Sequence, residues 1–150
     1  MDERWFSERV ERARDKLFRI AYSILHNEQD CADAFQEALL KAWQNLDKLR
    51  QPQYFDTWLV RILINECKRI HAYRRRMPVS APGWDLPPED IPLHDALKAL
   101  DERYRLPLVL HYMEGYSLEE IAYLLRVPSG TVKSRMYAGR KALRNLLEEE

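Results

Sequence analysis

Glycine occurs only four times in 150 residues and cysteine only twice. Nowhere do apolar and polar residues alternate over the length of a strand. Without that period of two, and with few residues suited to tight turns, the sequence predicts an all-α protein. Cys31 and Cys67 lack CxxC spacing, which argues against a disulfide framework or a zinc cage. Cys67 and His71 stand four apart, as a metal pair on one helix face would, but His26, His94 and His111 supply no second pair. The expected reading is a semi-buried thiol beside a solvated histidine, with no metal and no cofactor. No apolar run approaches the roughly 20 residues that span a bilayer. The charged segment from Met1 to Arg14 lacks the apolar core of a secretory signal. A cytoplasmic protein without membrane insertion is expected.

Charge of one sign is missing overall, because 24 basic residues balance 24 acidic ones. The balance is uneven along the chain. Residues 1–76 carry 15 basic and 12 acidic side chains, and residues 95–150 carry nine of each. Between them, residues 77–94 hold no basic residue and three acids, Asp85, Glu89 and Asp90. Five of the eight prolines, Pro78, Pro82, Pro87, Pro88 and Pro92, fall in this same stretch. Proline lacks an amide donor and restricts its predecessor, so an extended linker is expected between two helical units.

Three amphipathic patterns precede the linker. Phe6, Val10, Ala13, Leu17, Ile20 and Ile24 define the first. Phe35, Leu39, Ala42, Trp43 and Leu46 define the second, with Asn27 a suitable N-cap. Beyond Pro52, the third carries Phe55, Leu59, Ile62, Leu63, Ile70 and Tyr73. Three such stripes can bury one another in a small bundle. Glu66 points into the third stripe and needs a partner that the sequence does not name. After the linker, helices are predicted over 93–101 and 103–114.

Ser117-Leu-Glu-Glu120 has the form of a capping box, and Ile121, Ala122 and Leu125 follow it on a short amphipathic helix. Val127-Pro-Ser-Gly130 breaks the pattern, with Pro128 suited to the first position of a new helix. That helix is predicted to bury Val132, Met136, Gly139, Leu143 and Leu146. It then turns Lys133, Ser134, Tyr137 and Lys141 outward, with Thr131, Arg135 and Arg140 on its flanks. Two short helices around a tight turn, the second displaying basic and hydroxyl groups, have the layout of a helix-turn-helix. Such groups can donate to guanine and to other base edges in the major groove. An ordinary helical hairpin with a solvated basic face is the alternative.

Two further faces stand out. Asp30, Asp33, Glu37, Leu40, Lys41 and Gln44 lie opposite the second apolar stripe, a largely acidic surface suited to a protein partner. Arg61, Asn65, Lys68 and Arg75 line one side of the third helix, widened by Arg69 and Arg76. Arg74 to Arg76 close it as a basic cluster. A stripe of this kind can track phosphates while Asn65 contacts a base edge. Tyr54, Phe55 and Trp58 lie where stacking on unpaired bases is useful. Phe55 also fits the core, which leaves Tyr54 the better stacking candidate.

The stretch GYSLEEIAYLLRVPSGTVKSRMYAGRKALRNLL resembles region 4 of sigma-70 family factors, and DCADAFQEALLKAW resembles the helix by which those factors grip polymerase. FDTWLVRILINECKRI resembles the −10 recognition helix of the extracytoplasmic-function (ECF) group. Together these cover about residues 12–76 and 95–147. Arg126 stands where most relatives carry glycine; a left-handed turn there costs about 1 kcal/mol relative to glycine. Ala32 stands where relatives usually carry another acid.

The resemblance implies two helical domains, region 2 over 1–76 and region 4 over 95–150, joined by the linker 77–94. It implies −35 contacts from Thr131, Lys133, Ser134, Arg135, Tyr137, Arg140 and Lys141. It implies −10 contacts from Lys48, Arg50, Gln51, Tyr54, Arg61, Asn65, Lys68 and Arg69. Polymerase contacts would come from Asp30, Asp33, Gln36, Glu37, Leu40, Lys41 and Gln44. The implied partners are bacterial core RNA polymerase, promoter DNA and an anti-sigma protein acting in trans. A linker of roughly 18 residues reaches about 55–60 Å when extended, about one and a half turns of duplex. In the family this acidic strap runs through the RNA exit path of polymerase, a role that Asp85, Glu89 and Asp90 would serve by imitating RNA charge.

Three other readings compete. A helix-turn-helix regulator that never joins polymerase explains residues 117–147 but leaves the acidic and basic faces of the first unit idle. An enzyme built on Asp30, Asp33 and Glu37 lacks a nucleophile, a histidine base or a phosphate loop beside them. A polymerase-bound inhibitory protein would not support transcription from a matching promoter.

Overall fold

A computed structural model of the chain describes residues 1–77 and 91–148, all of whose regular elements are helical. The chain divides into two compact units, Met1–Gly83 and Trp84–Glu150. The acids Asp85, Glu89 and Asp90 and most of the expected linker lie outside the described residues.

The first unit is a bundle of α1 (Glu3–Leu25), α2 (Glu28–Gln44) and α3 (Phe55–Arg76), with two 3₁₀ turns, Leu46–Lys48 and Pro52–Tyr54, between the last two. Asp2 caps α1 by accepting the amide of Trp5 at 2.8 Å, and Asn27 caps α2 by accepting that of Asp30 at 2.8 Å. Between these helices His26 adopts a left-handed conformation, with φ 56°, and turns the chain within two residues. The six apolar positions read from the first pattern are all buried in α1.

The other two stripes are rotated from expectation. In α2 the buried apolar residues are Cys31, Ala34, Ala38 and Ala42. Phe35 and Leu39 are half-buried, and Trp43 is 44% exposed. Small side chains let α1 and α3 approach closely, so the large ones are displaced to the flanks. There Phe35 stacks on Phe18 at 4.8 Å and Trp43 meets Phe6 edge-on at 5.3 Å. In α3, Phe55, Leu59 and Leu63 are buried as expected, joined by Val60, Ile64 and Cys67. Tyr73 is exposed, three turns beyond the last buried apolar leucine of the helix. Phe55 is fully buried with its ring edge-on to Trp5 and Phe6, so packing claims it. Burial pushes the Cys31 thiol up to about 12, which leaves it unreactive.

The second unit holds α4 (Ile91–Ala99), α5 (Glu102–Leu108), α6 (Leu118–Leu125) and α7 (Ser129–Glu148). Helix α4 starts at Ile91, two residues before the expected 93, and so takes in the end of the expected linker. Pro92 is tolerated there because a first-turn amide has no intrahelical partner. Asp101 separates α4 from α5 and caps α5 through the amide of Arg103 at 3.0 Å. The buried Arg105 guanidinium donates to the carbonyl oxygens of Leu100 at 2.9 Å and Lys98 at 3.4 Å, satisfying the end of α4. Helix α5 runs on as a π-helical turn, Val109–Met113. The predicted single helix over 103–114 is thus α-helical only in its first half.

The Ser117 capping box forms in both directions: Ser117 Oγ accepts the Glu120 amide at 3.1 Å, and Glu120 Oε1 accepts the Ser117 amide at 2.9 Å. Arg126 closes α6 in the left-handed region, with φ 59° and ψ 44°. Helix α7 begins at Ser129, and the Pro128 carbonyl accepts the amides of Thr131 and Val132. Pro128, expected at the first helical position, therefore stands one place before it. On α7, Val132, Met136 and Gly139 are buried, while Leu143 and Leu146 are half-buried. A Cβ at Gly139 would come within 3.2 Å of both the Tyr104 carbonyl oxygen and Leu108 Cδ1, so α5 and α7 pack almost backbone to backbone there.

Candidate nucleic-acid and polymerase-binding surfaces

Helix α7 presents its polar face as the pattern predicted. Lys133, Ser134, Tyr137, Arg140 and Lys141 are exposed, and Thr131 and Arg135 are half-buried at the edge of that face. Tyr137 is 67% exposed, a large aromatic held in water by the helix register alone. Ser134 Oγ donates to the Thr131 carbonyl at 3.2 Å and retains two lone pairs. Arg140 Nη1 donates to the Tyr112 hydroxyl at 3.4 Å. Tyr112 was not foreseen, since the π-helical turn that carries it breaks the 3.6-residue period by which faces are read.

In the first unit, Lys48, Arg50, Gln51 and Tyr54 are exposed on the segment that leads into α3. Tyr54 is 58% exposed, as a stacking residue would need to be, whereas Trp58 is half-buried with its ring 6.1 Å from Phe55. Arg61, Asn65 and Lys68 are half-buried along one side of α3, and Arg75 continues that side in the exposed last turn. Arg69 and Arg74 of this helix each grip a carboxylate. Arg69 donates Nη2 and Nε to Glu66 Oε1 at 2.7 and 3.2 Å. Arg74 donates Nη2 and Nε to the Asp30 carboxylate at 2.7 and 3.2 Å.

The acidic face of α2 is narrower than expected. Asp33, Gln36, Leu40 and Gln44 are exposed and Glu37 half-buried. Asp30 is buried under Arg74, a bidentate pair that fastens the start of α2 to the end of α3. Lys41 lies half-buried with Nζ 2.7 Å from Glu66 Oε2. Neither Asp30 nor Lys41 thus lies opposite the core, because helix α2 is rotated to place its alanines inward. Trp43, assigned to the core by its spacing, stands exposed one turn beyond Leu40.

Glu66 acquires the partners that the sequence could not name. Burial by itself pushes its carboxyl up, but the hydrogen bonds from Lys41 and Arg69 and their two charges outweigh that and hold it below the usual carboxylate range. Asp30 in turn pushes the Arg74 guanidinium up, by its hydrogen bonds and its charge. Among the described residues, no helix is long and apolar enough to cross a membrane.

The chain matches the Sigma-70 region 2 family over residues 9–77 and the Sigma-70, region 4 family over residues 91–143. It is 30% identical to the ECF RNA polymerase sigma factor SigW of Bacillus subtilis, over 99% of this chain and 91% of that protein. It is also 30% identical to the RNA polymerase sigma-H factor of Pseudomonas aeruginosa, over 98% of this chain and 88% of that one. Among solved structures it resembles the sigma factor RpoE of Bartonella quintana, crystallised with the anti-sigma factor NepR. There the TM-score is 0.78 at 25% identity, covering 95% of this chain and 96% of that one. It also resembles CnrH in complex with the cytosolic domain of CnrY, with a TM-score of 0.76 at 26% identity, covering 99% and 91% of the two chains. Two matched regions in the order 2 then 4, over a near full-length likeness to curated factors, identify the chain as a member of the extracytoplasmic-function group of sigma-70 family RNA polymerase sigma factors.

Proposed function

We propose that this sigma factor divides its work among three surfaces, each carried by one helix and its approach. The exposed face of α2, with Asp33, Gln36, Glu37, Leu40 and Gln44, docks core RNA polymerase. The segment 48–54 and the side of α3 with Arg61, Asn65 and Lys68 engage the −10 element: the cations meet phosphates, Asn65 a base edge, and Tyr54 an unstacked base. Helix α7 enters the major groove of the −35 element with Lys133, Ser134 and Tyr137 foremost, and Thr131, Arg135, Arg140 and Lys141 at its margins. Asp30, Lys41 and Arg69 act on these surfaces through the ion pairs that hold α2 against α3. The protein contributes binding and positioning; the polymerisation chemistry belongs to the core enzyme.

Residues 1–76 form the region 2 unit and 95–150 the region 4 unit, with the linker 77–94 spanning the distance between promoter elements. Asp85, Glu89 and Asp90 follow the RNA exit path. Because polymerase works in the cytoplasm, the factor acts there, and a separate anti-sigma protein restrains it, as NepR accompanies the Bartonella factor. The observation that supports this reading is a single chain with an exposed basic and hydroxyl-bearing helix after a tight turn in one unit and, in the other, a polar helix face packed beside a basic helix. Core polymerase from the source organism should start transcription at a defined set of genomic sites only when this protein is added. Unaltered start-site selection across a genomic fragment library would defeat the assignment, and failure to co-purify with core enzyme would favour a free-standing regulator.

A further inference from the structure

Helix α5 packs along α7 through Leu108, whose Cδ1 lies against Gly139. One α-helical turn further on, Tyr112 would continue that buried line and lie under α7. The chain instead widens into the π-helical turn Val109–Met113, in which the Glu114 amide donates to the Val109 carbonyl at 3.2 Å, five residues back. The wider turn swings Tyr112 outward, to 61% exposure, and brings its hydroxyl to Arg140, the residue next to Gly139. His111 backs the displaced ring edge-on at 4.8 Å, and its own Nδ1 lies 2.8 Å from the Tyr116 carbonyl oxygen. The tyrosine is therefore supported from behind while its hydroxyl faces the flank of α7.

The chemistry of the pair suits an anionic oxygen. A guanidinium has five donors, and Arg140 gives one of them to Tyr112 while the side chain remains exposed. A hydroxyl that accepts from arginine still has its own proton to donate. The pairing holds Arg140 at the edge of the face that carries Tyr137 and Lys141 and leaves it further donors for a ligand. Held this way, Arg140 loses less side-chain freedom on binding than an unsupported arginine would.

We propose that Tyr112 is a positioning residue for promoter binding, which fixes Arg140 as a clamp on a backbone phosphate of the −35 duplex. This rests on the reading of α7 as the groove helix. A phosphate clamp strengthens binding without reading sequence.

The test uses the full-length factor assembled with core polymerase, on duplex promoter fragments whose −35 bases are varied, over a range of salt. Tyr112→Phe should weaken binding about threefold to tenfold, evenly across the −35 variants. Arg140→Met should weaken it at least as much and lower the slope of log affinity against log salt by about one, and Tyr112→Phe should move the slope in the same direction. In the Arg140→Met background, Tyr112→Phe should have no further effect. Additive losses, an unchanged salt slope in Tyr112→Phe, or a loss that comes with weaker core binding or a lower melting temperature would each overturn the proposal. Lys133→Ala separates the clamp from the groove helix that carries it. If it too leaves −35 affinity and base preference intact, the reading of α7 is wrong; if it impairs them while Tyr112→Phe does not, only the clamp is lost.

Discussion

Arg126 closes α6 at φ 59°, a backbone conformation that crowds the Cβ of any residue but glycine. The residue is exposed, so its side chain gains little in packing to offset that strain. Replacing it by glycine relieves about 1–2 kcal/mol of strain and returns about 0.4–1 kcal/mol to the unfolded chain as entropy. Arg126→Gly should therefore stabilise the second unit by about 0.5–1 kcal/mol, a rise of a few degrees in its melting temperature. A thermal melt with no rise would mean that the arginine makes a compensating interaction. This turn was legible in advance, since local rules govern it: a capping box opens α6, and a Val-Pro-Ser-Gly run must end it. Tyr112 was not legible, because its position depends on one extra residue per turn, for which HYMEG carries no signal.

Helix α2 shows the same division one scale up. Its existence and its Asn27 cap follow from sequence, yet spacing placed Phe35, Leu39 and Trp43 on its inward face, where the structure buries Ala34 and Ala38 instead. Size predicts burial only where there is room, and the close approach of three helices leaves none on the alanine side. The rotation that results carries Asp30 and Lys41 toward α3, where two ion-paired clusters join the helices. Glu66, lowered below the ordinary carboxylate range, favours folding at any pH above about 4.3, and that contribution fades as pH falls through its depressed folded value. Glu66→Gln should cost about 1–3 kcal/mol at neutral pH, because two cations lose a buried acceptor charge. It should also flatten the loss of stability on acidification below that range. Equal acid sensitivity in denaturant titrations of the two proteins would exclude Glu66 as a contributor.

At the scale of the molecule, the zero net charge gives the free factor little long-range attraction to DNA. Affinity must then come from local surfaces presented together on polymerase. The isolated protein should bind promoter fragments poorly at physiological salt, and its complex with core enzyme should bind them well; equal affinities in the two states would contradict that division. Sequence by itself determined the helical class, the two units separated by a proline-rich acidic stretch, the helix-turn-helix and the outward face of α7. Each of these depends on spacing within one segment, which periodicity, caps and proline report directly. Only the tertiary structure decided which α2 residues stay exposed, which arginines are tied up in ion pairs with Asp30 and Glu66, and that Tyr112 meets Arg140. Those outcomes join residues between 3 and 44 positions apart. They turn on helix rotation and close packing, which no single segment encodes.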